Sequence, residues 1–144
     1  MKTNMFKRNY TVKGEDVNDF MVMQNFAYLK YTSKLIEIFL LDKGFSKHKL
    51  NELKIGWQKN NDQLQNKKKL MFTESFSAEL VFHSKLTSND YIQTIVKFYN
   101  SKQELCSTLI TELHWVDYNN WEIISPPHKI ARHFSSQKHY QRAV

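Results

Sequence analysis

The sequence predicts an α+β fold in which a curved antiparallel sheet wraps around one long central helix. Residues 25–43 contain no Gly or Pro and carry apolar side chains on most sides, which is typical of a buried helix. The chain after them alternates apolar and polar residues at period two, which indicates strands. Strands that follow one another through short turns pair antiparallel, and a helix apolar nearly all round needs a sheet to cover it.

Each element has its own signal along the chain. A first strand is predicted over residues 6–12, and Gly44 ends the long helix. The later strands are predicted over residues 53–57, 70–82, 92–98 and 105–116. The polar stretch Lys59–Lys69 is predicted as a turn or a long hairpin tip, and Asn100–Lys102 as a hairpin turn. Pro126 and Pro127 break the last strand.

Length and composition predict one globular domain. The 144 residues are 41% hydrophobic and 24% charged, with a core expected over about residues 6–127 and a basic C-terminal helix or tail over 128–144. Cys106 has no second cysteine to pair with, and no signal peptide is recognisable at the N-terminus. The sequence therefore predicts a cytoplasmic protein.

The positive charge raises the question of what the protein binds. The 21 Lys plus Arg exceed the 14 Asp plus Glu, for a net charge of +7. The cations gather in the basic tail and at Lys67–Lys69, without the interleaved aromatics or motifs of nucleic-acid-binding domains. No stretch reaches the roughly 20 apolar residues of a membrane span. We therefore expect neither nucleic acid nor membrane as a partner, and an anionic small ligand such as a nucleotide phosphate stays open.

Residues 16–31 carry the most specific pattern of the chain. They match Asp-x-Asp-x-x-Gly-His-Val-Asn-Asn-x-x-Tyr-x-x-Tyr without a gap, with Gly44 sixteen residues after the first Tyr. This pattern resembles that of the 4-hydroxybenzoyl-CoA thioesterase-like family, which has the hotdog fold. The matching residues are Asp16, Asn25, Tyr28, Tyr31 and Gly44. A Leu86–Asp90 turn and the Val116-Asp117 pair resemble further family features.

The resemblance implies a thioesterase that hydrolyses an acyl-CoA or an acyl carrier protein thioester. It implies no cofactor and no metal, with CoA only as part of the substrate, and a homodimer or homotetramer whose sites are built from two chains. Asn18 occupies the position of the family's attacking carboxylate, and an amide cannot act as a base. A non-catalytic hotdog protein that binds acyl thioesters, or that acts as an assembly partner, is the alternative.

Five residues are the candidates for the site. Asp16 is the nearest remaining carboxylate and the predicted base or nucleophile, with a turn residue that satisfies local amides as the other interpretation. Asn25 is predicted to cap the long helix, whose free N–H groups polarise the thioester carbonyl. Tyr28 and Tyr31 share a helix face and are assigned to substrate binding or to core packing. Asn18 completes the set as the residue in the catalytic position.

Overall fold

The computed structural model describes residues 6–81 and 90–135, and within these ranges the chain forms six strands and three α-helices. The strands are β1 (Phe6–Thr11), β2 (Ile55–Asn66), β3 (Ser75–Val81), β4 (Ile92–Asn100), β5 (Leu105–Asp117) and β6 (Glu122–Ile124). The helices are α1 (Asn25–Asp42), α2 (Lys47–Glu52) and α3 (His128–Ala131).

The strands form one antiparallel sheet in the order β1-β3-β4-β5-β2, and β6 pairs with the end of β5. The turn between β4 and β5 falls where the sequence predicts it. The Asn100 side chain closes this turn by accepting hydrogen bonds from the backbone N–H groups of Lys102 and Glu104 at 2.9 and 3.0 Å. Helix α1 packs across the sheet, and their facing side chains form the hydrophobic core. The predicted α+β class is confirmed.

Helix α1 has almost the predicted bounds. It starts at Asn25, but the capping position belongs to Gln24, whose backbone is extended, so the prediction of Asn25 as the cap was wrong by one residue. The helix ends at Asp42, one residue before the predicted end, and Gly44 then takes the left-handed conformation at φ +94°. The N–H of Phe45 bonds back to Leu40 O at 2.8 Å, which closes the last turn.

Helix α1 lies against the sheet with eight buried residues, and Leu29 and Ile38 beside them are partly buried against the same core. One face of the helix is buried, and the polar residues lie on the rest of its surface together with two exposed apolar side chains, those of Phe26 and Leu41. The buried residues recur at helical spacing: Ala27, Tyr28, Tyr31, Thr32, Leu35, Ile36, Phe39 and Leu40. The sheet therefore supports α1 from one side only in this single chain.

The polar stretch Lys59–Lys69 is not a turn, since β2 continues through it to Asn66. Its side chains are mostly exposed, and the register against β5 shifts between Asn60 and Gln63, so the period-two apolar signal is lost. Pairing of the backbone with β5 forms the strand instead. Conversely, residues 70–74 lie before β3 as a loop, although they continue its alternation in the sequence.

Helix α2 and strand β6 were not predicted, and parts of two predictions lie outside the described residues. Helix α2 has a local signal, because the Ser46 hydroxyl caps it by accepting from the Lys49 N–H at 3.1 Å. The basic tail begins with α3, and the ring of Phe134 after it packs on Phe39 at 4.9 Å between centroids. Residues 136–144 and most of the predicted Leu86–Asp90 turn are outside the described ranges. Within those ranges no helix is long and apolar enough to span a membrane.

Candidate functional site

Asp16 lies in a single turn of 3-10 helix (Gly14–Asp16) just before α1, and its side chain is fully buried. One carboxylate oxygen accepts from the Tyr31 hydroxyl at 2.6 Å and from the Lys13 N–H at 3.0 Å. The other accepts from the Lys30 ammonium at 2.5 Å. Burial raises the pKa of the carboxyl group, but the hydrogen bonds from Lys30, Tyr31 and Lys13 outweigh it and leave the pKa lowered. The carboxylate is thus ionised and saturated with donors.

Asn18 is exposed and organises the loop that leads into α1. Its side-chain oxygen accepts from the backbone N–H groups of Phe20 at 2.9 Å and Val22 at 3.1 Å. These bonds form a local turn that gives Met21 a left-handed backbone, at φ 65°. In the described structure the Asn18 side-chain oxygen therefore stabilises the loop by accepting hydrogen bonds from its backbone.

Asn25 and Tyr28 meet the end of β2 and the start of β5 in a chain of polar groups. The Asn25 side-chain oxygen accepts from the Asn66 amide at 3.3 Å, and the Ser107 hydroxyl bonds the Asn66 oxygen at 2.6 Å. Ser107 also lies beside the Tyr28 hydroxyl, whose pKa is raised by burial. Asn66 and Ser107 were not singled out from the sequence, because their strands meet α1 only through the sheet pairing.

Tyr31 lies on the Asp16 side of the helix, in an aromatic cluster. Its ring contacts Tyr10 and Phe76 at 4.9 and 5.1 Å between centroids, and its hydroxyl donates to Asp16. Burial and the Asp16 carboxylate both raise the pKa of the Tyr31 hydroxyl. Tyr28 instead packs edge-on against Phe98 at 5.0 Å. The structure therefore separates the two tyrosines, since Tyr28 lines the pocket described next and Tyr31 does not.

A pocket of about 320 Å³ opens at the first turn of α1. We call it the α1 pocket, and its lining residues are Val22, Met23, Gln24, Asn25, Tyr28, Asn66, Lys67, Lys68 and Lys69. The backbone N–H groups of Asn25 and Phe26 in this first turn have no backbone acceptor among the described residues. They give this end of the helix a positive partial charge, which attracts an anion or a polarised carbonyl oxygen.

The lysine run is anchored at the opposite wall of the α1 pocket. The backbone N–H groups of Lys67 and Lys68 both bond to Cys106 O, at 2.7 and 3.1 Å, so the run is attached to the start of β5. The Lys68 ammonium lies 3.6 Å from the Glu104 carboxylate. The pocket thus has two sources of positive potential, a helix N-terminus and three adjacent lysines.

Glu74 is a further carboxylate near the α1 pocket, and the sequence analysis missed it. One of its oxygens accepts from the Met71 N–H at 2.7 Å, which closes the turn before β3. Its charge contributes to the raised pKa values of the Tyr28 hydroxyl and of the Cys106 thiol, after burial as the main cause. Because Met71 pairs with Val22 on the pocket wall, Glu74 is joined to that wall through a single backbone bridge. No sequence signal marks it, because it continues an apparent strand pattern.

The histidine and cysteine residues form no further site within residues 6–81 and 90–135. No group of three potential metal ligands occurs there, and Cys106 is buried and unpaired. His114 lies 2.9 Å from Glu112 on β5. His83 and His139 fall outside the described residues.

Comparison with known proteins relates the fold to solved structures. No family model and no curated protein matches the sequence. A Staphylococcus aureus protein in complex with CoA is similar, with a TM-score of 0.81, 14% identity and coverage of 96% of this chain and 84% of that chain. A gentisyl-coenzyme A thioesterase has a TM-score of 0.76, 16% identity and coverage of 87% and 98%. A DHNA-CoA thioesterase from Staphylococcus aureus has a TM-score of 0.75, 16% identity and coverage of 96% and 90%.

Proposed function

We infer the function of this chain from its hotdog fold, because the solved structures similar to it include thioesterases of that fold. We propose that it is a thioesterase that hydrolyses an acyl-CoA to the free acid and CoA. The observation that carries this proposal is the α1 pocket, which combines free helix N–H groups with three consecutive lysines. The N–H groups stabilise the negative charge that develops on the thioester oxygen, and the lysines bind the phosphates of CoA.

Hydrolysis also needs a group that accepts the proton of the attacking water. Asp16, the base predicted from the sequence, has its two oxygens occupied by three donors and is fully buried, which supports a positioning role before α1. We propose Glu74 as the base instead, because its half-buried carboxylate is hydrogen-bonded to Met71, whose backbone pairs with the pocket residue Val22. Water adds to the carbonyl carbon as Glu74 takes its proton, and the C–S bond then breaks as that proton passes to the departing thiolate.

The alternative is a protein that binds acyl thioesters without hydrolysing them. Asn18 favours this alternative, because it is an amide at the position where the resemblance places the attacking carboxylate. Its side-chain oxygen already accepts hydrogen bonds from two backbone N–H groups. Under this alternative the α1 pocket binds the thioester and does not hydrolyse it. Homodimer formation and a cytoplasmic location stay predictions from the sequence.

The test is thiol release from short, long and aromatic acyl-CoAs by the native protein and four variants. We expect turnover by the native protein and a loss of roughly 10²–10⁴-fold in Glu74→Gln, as for removal of a general base. Glu79→Gln is the matched control. Glu79 is a half-buried carboxylate on β3 that contributes to the raised pKa of the Tyr99 hydroxyl, as Glu74 contributes to that of the Tyr28 hydroxyl. The Glu79→Gln variant should turn over the acyl-CoAs at the rate of the native protein.

The remaining variants separate the proposals. Turnover that collapses in Asp16→Asn, measured where this variant is still folded by circular dichroism, identifies Asp16 as the base and contradicts the assignment of Glu74. No turnover by the native protein, with turnover appearing in Asn18→Asp, establishes the non-catalytic alternative. Turnover that Glu74→Gln leaves unchanged also overturns the role of Glu74.

A further inference from the structure

A second pocket lies on the outer face of the sheet, at the edge that β1 forms. Its volume is about 230 Å³. Side chains of β1 and β3 alternate between the core and this outer face, so residues opposite each other in the register line the pocket together. Asn9 lies opposite Ser77, Thr11 lies opposite Ser75, and Lys7 follows on the same face of β1. We call it the β1 pocket.

The Ser77 hydroxyl is buried in the β1 pocket without a hydrogen-bond partner among the described residues. Ser77 is 6% exposed, while its neighbours Phe76 and Ala78 belong to the core. Four buried side-chain atoms lack a partner in this part of the chain, and two of them, the hydroxyls of Ser77 and Tyr10, belong to residues that line this pocket. Because an unbonded buried hydroxyl is costly, one that lines a pocket indicates a partner from outside the chain.

The lining of the β1 pocket combines polar side chains with one positive charge. The Lys7 ammonium forms no ion pair among the described residues. No Asp or Glu of the described ranges lines the pocket. Glu79, which lies opposite Lys7 in the register, is outside the lining and interacts with the Tyr99 hydroxyl. Hydroxyl and amide donors around a single cation, without a carboxylate, favour an anion as the ligand.

The aromatic residues of the lining are engaged in the core. The ring of Tyr10 contacts the rings of Tyr31 and Phe76 at 4.9 and 5.7 Å between centroids, and Phe76 contacts Tyr31 at 5.1 Å. The other side of the pocket is the β4–β5 turn, which contributes the exposed polar residues Ser101 and Gln103. A ligand that stacks on an aromatic face, such as a nucleobase, therefore fits this lining less well than a ligand that accepts hydrogen bonds.

We propose that the β1 pocket binds the phosphate group of a small molecule. The Lys7 ammonium balances the charge, and the hydroxyls of Ser75 and Ser77 with the Asn9 amide donate to the phosphate oxygens. A tetrahedral phosphate accepts bonds from several directions, which suits donors that come from two strands and a turn. The volume of the pocket leaves room for the group that the phosphate esterifies. This inference does not rest on the proposed function, since no described residue lines both this pocket and the α1 pocket.

The experiment is a titration of the full-length, ¹⁵N-labelled protein followed by amide chemical shifts at constant ionic strength. A readout for each residue is needed, because phosphate also meets the lysines of the α1 pocket. We expect inorganic phosphate to shift the amides of residues 9–11 and 75–77 with a Kd below about 5 mM. Glycerol 3-phosphate should bind about threefold more tightly, and acetate, with fewer acceptor oxygens, about tenfold more weakly.

Variants of the lining test the named donors. Ser77→Ala should weaken phosphate binding about tenfold or more without lowering the Tm of the free protein, because it removes an unbonded buried hydroxyl. Thr32→Val is the matched control, since the Thr32 hydroxyl is also buried without a partner but lies on the buried face of α1. Lys7→Gln should weaken binding about tenfold, whereas Lys97→Gln, on β4 outside the lining, should not change it.

Four results overturn the inference. Shifts confined to the first turn of α1 and to Lys67–Lys69 assign all phosphate binding to the α1 pocket. Acetate that binds as tightly as phosphate makes the ligand a carboxylate, and inorganic phosphate that binds more tightly than glycerol 3-phosphate excludes a phosphate ester. Native affinity in Ser77→Ala shows that this hydroxyl does not meet the ligand. None of these results bears on thiol release, so they leave the proposed function to its own test.

Discussion

Asp16 joins three backbone segments through its two carboxylate oxygens. The donors are the Lys13 N–H before it and the Lys30 and Tyr31 side chains on the second turn of α1. A buried carboxylate is costly unless it is paired and hydrogen-bonded, and here its bonds go to the turn that carries it and to α1. Asp16 therefore fixes the start of α1 relative to the strand before it.

Replacement of Asp16 tests this role. Asp16→Asn should lower the free energy of unfolding by about 2–4 kcal/mol, because a neutral amide at this buried position weakens the charge-assisted bonds from Lys30 and Tyr31 and leaves one of the buried donors without an acceptor. Glu15→Gln is the control, since Glu15 contacts the same Lys30 ammonium at 3.1 Å but is 69% exposed. Glu15→Gln should lower the free energy of unfolding by less than about 0.5 kcal/mol. Urea unfolding measures both, and equal small effects would contradict a structural role for Asp16.

The Asp16 carboxylate also makes the free energy of unfolding depend on pH. Its pKa is lowered in the folded protein from 3.8, the value it has when unfolded, so its stabilisation is complete above that value and is lost as the pH falls through the folded pKa. The difference in unfolding free energy between the native protein and Asp16→Asn should therefore be constant near neutral pH and shrink below about pH 4. A difference that grows as the pH falls below about 4 would contradict a lowered pKa of Asp16 in the folded protein.

Among the elements, β2 shows what sequence patterns cannot predict. Its first residues alternate, but beyond the irregularity at Asn60–Gln63 most side chains face solvent, and pairing with β5 alone keeps the strand extended. The helix α1 was predictable because its buried face and Gly44 are local signals. The pocket was only half predictable, since Asn66 and Ser107 reach α1 through strand pairing and their spacing in the chain carries no sign of it.

The contact between Gly56 and Tyr118 gives a prediction for the β2–β5 pair. A Cβ at Gly56 would collide with the hydroxyl end of the Tyr118 ring, which lies across the strand and contacts Trp121 at 5.2 Å between centroids. Gly56→Ala should therefore cost about 1–3 kcal/mol of unfolding free energy by displacing that ring. In a Tyr118→Ala background the same substitution should cost much less. Equal costs in the two backgrounds would show that the ring does not restrict Gly56.

At the scale of the whole molecule, the α+β class and the central helix followed from two periodicities, whereas the site chemistry did not. The pattern at residues 16–31 covers the first turn of α1, where the α1 pocket opens, because a helix N-terminus is a property of the local chain. It did not reveal that Asp16 is enclosed by donors or that Met71 joins Glu74 to the pocket residue Val22, because both facts depend on packing between distant segments.

The two edges of the sheet differ in a way that bears on assembly. Strand β1 has six residues, and β2 has twelve and ends at Asn66 in the α1 pocket. Among the described strands, each of these two pairs on one side only. Two copies joined along β2 would bring both pockets to their interface, as the resemblance to two-chain sites implies. We therefore predict a homodimer through β2, with a mass of about 35 kDa, twice the chain mass of 17.3 kDa.

Like charges placed along one edge test which strand makes the dimer. Gln63→Glu with Gln65→Glu should convert the dimer to monomers, because carboxylates that face each other across paired strands repel. Asn9→Glu with Thr11→Glu places the same charge on exposed positions of β1 and should leave the mass of the dimer unchanged. Sedimentation equilibrium measures both. Dissociation by the β1 pair alone would move the interface to the other edge, and a native protein that sediments as a monomer would require each α1 pocket to act within one chain.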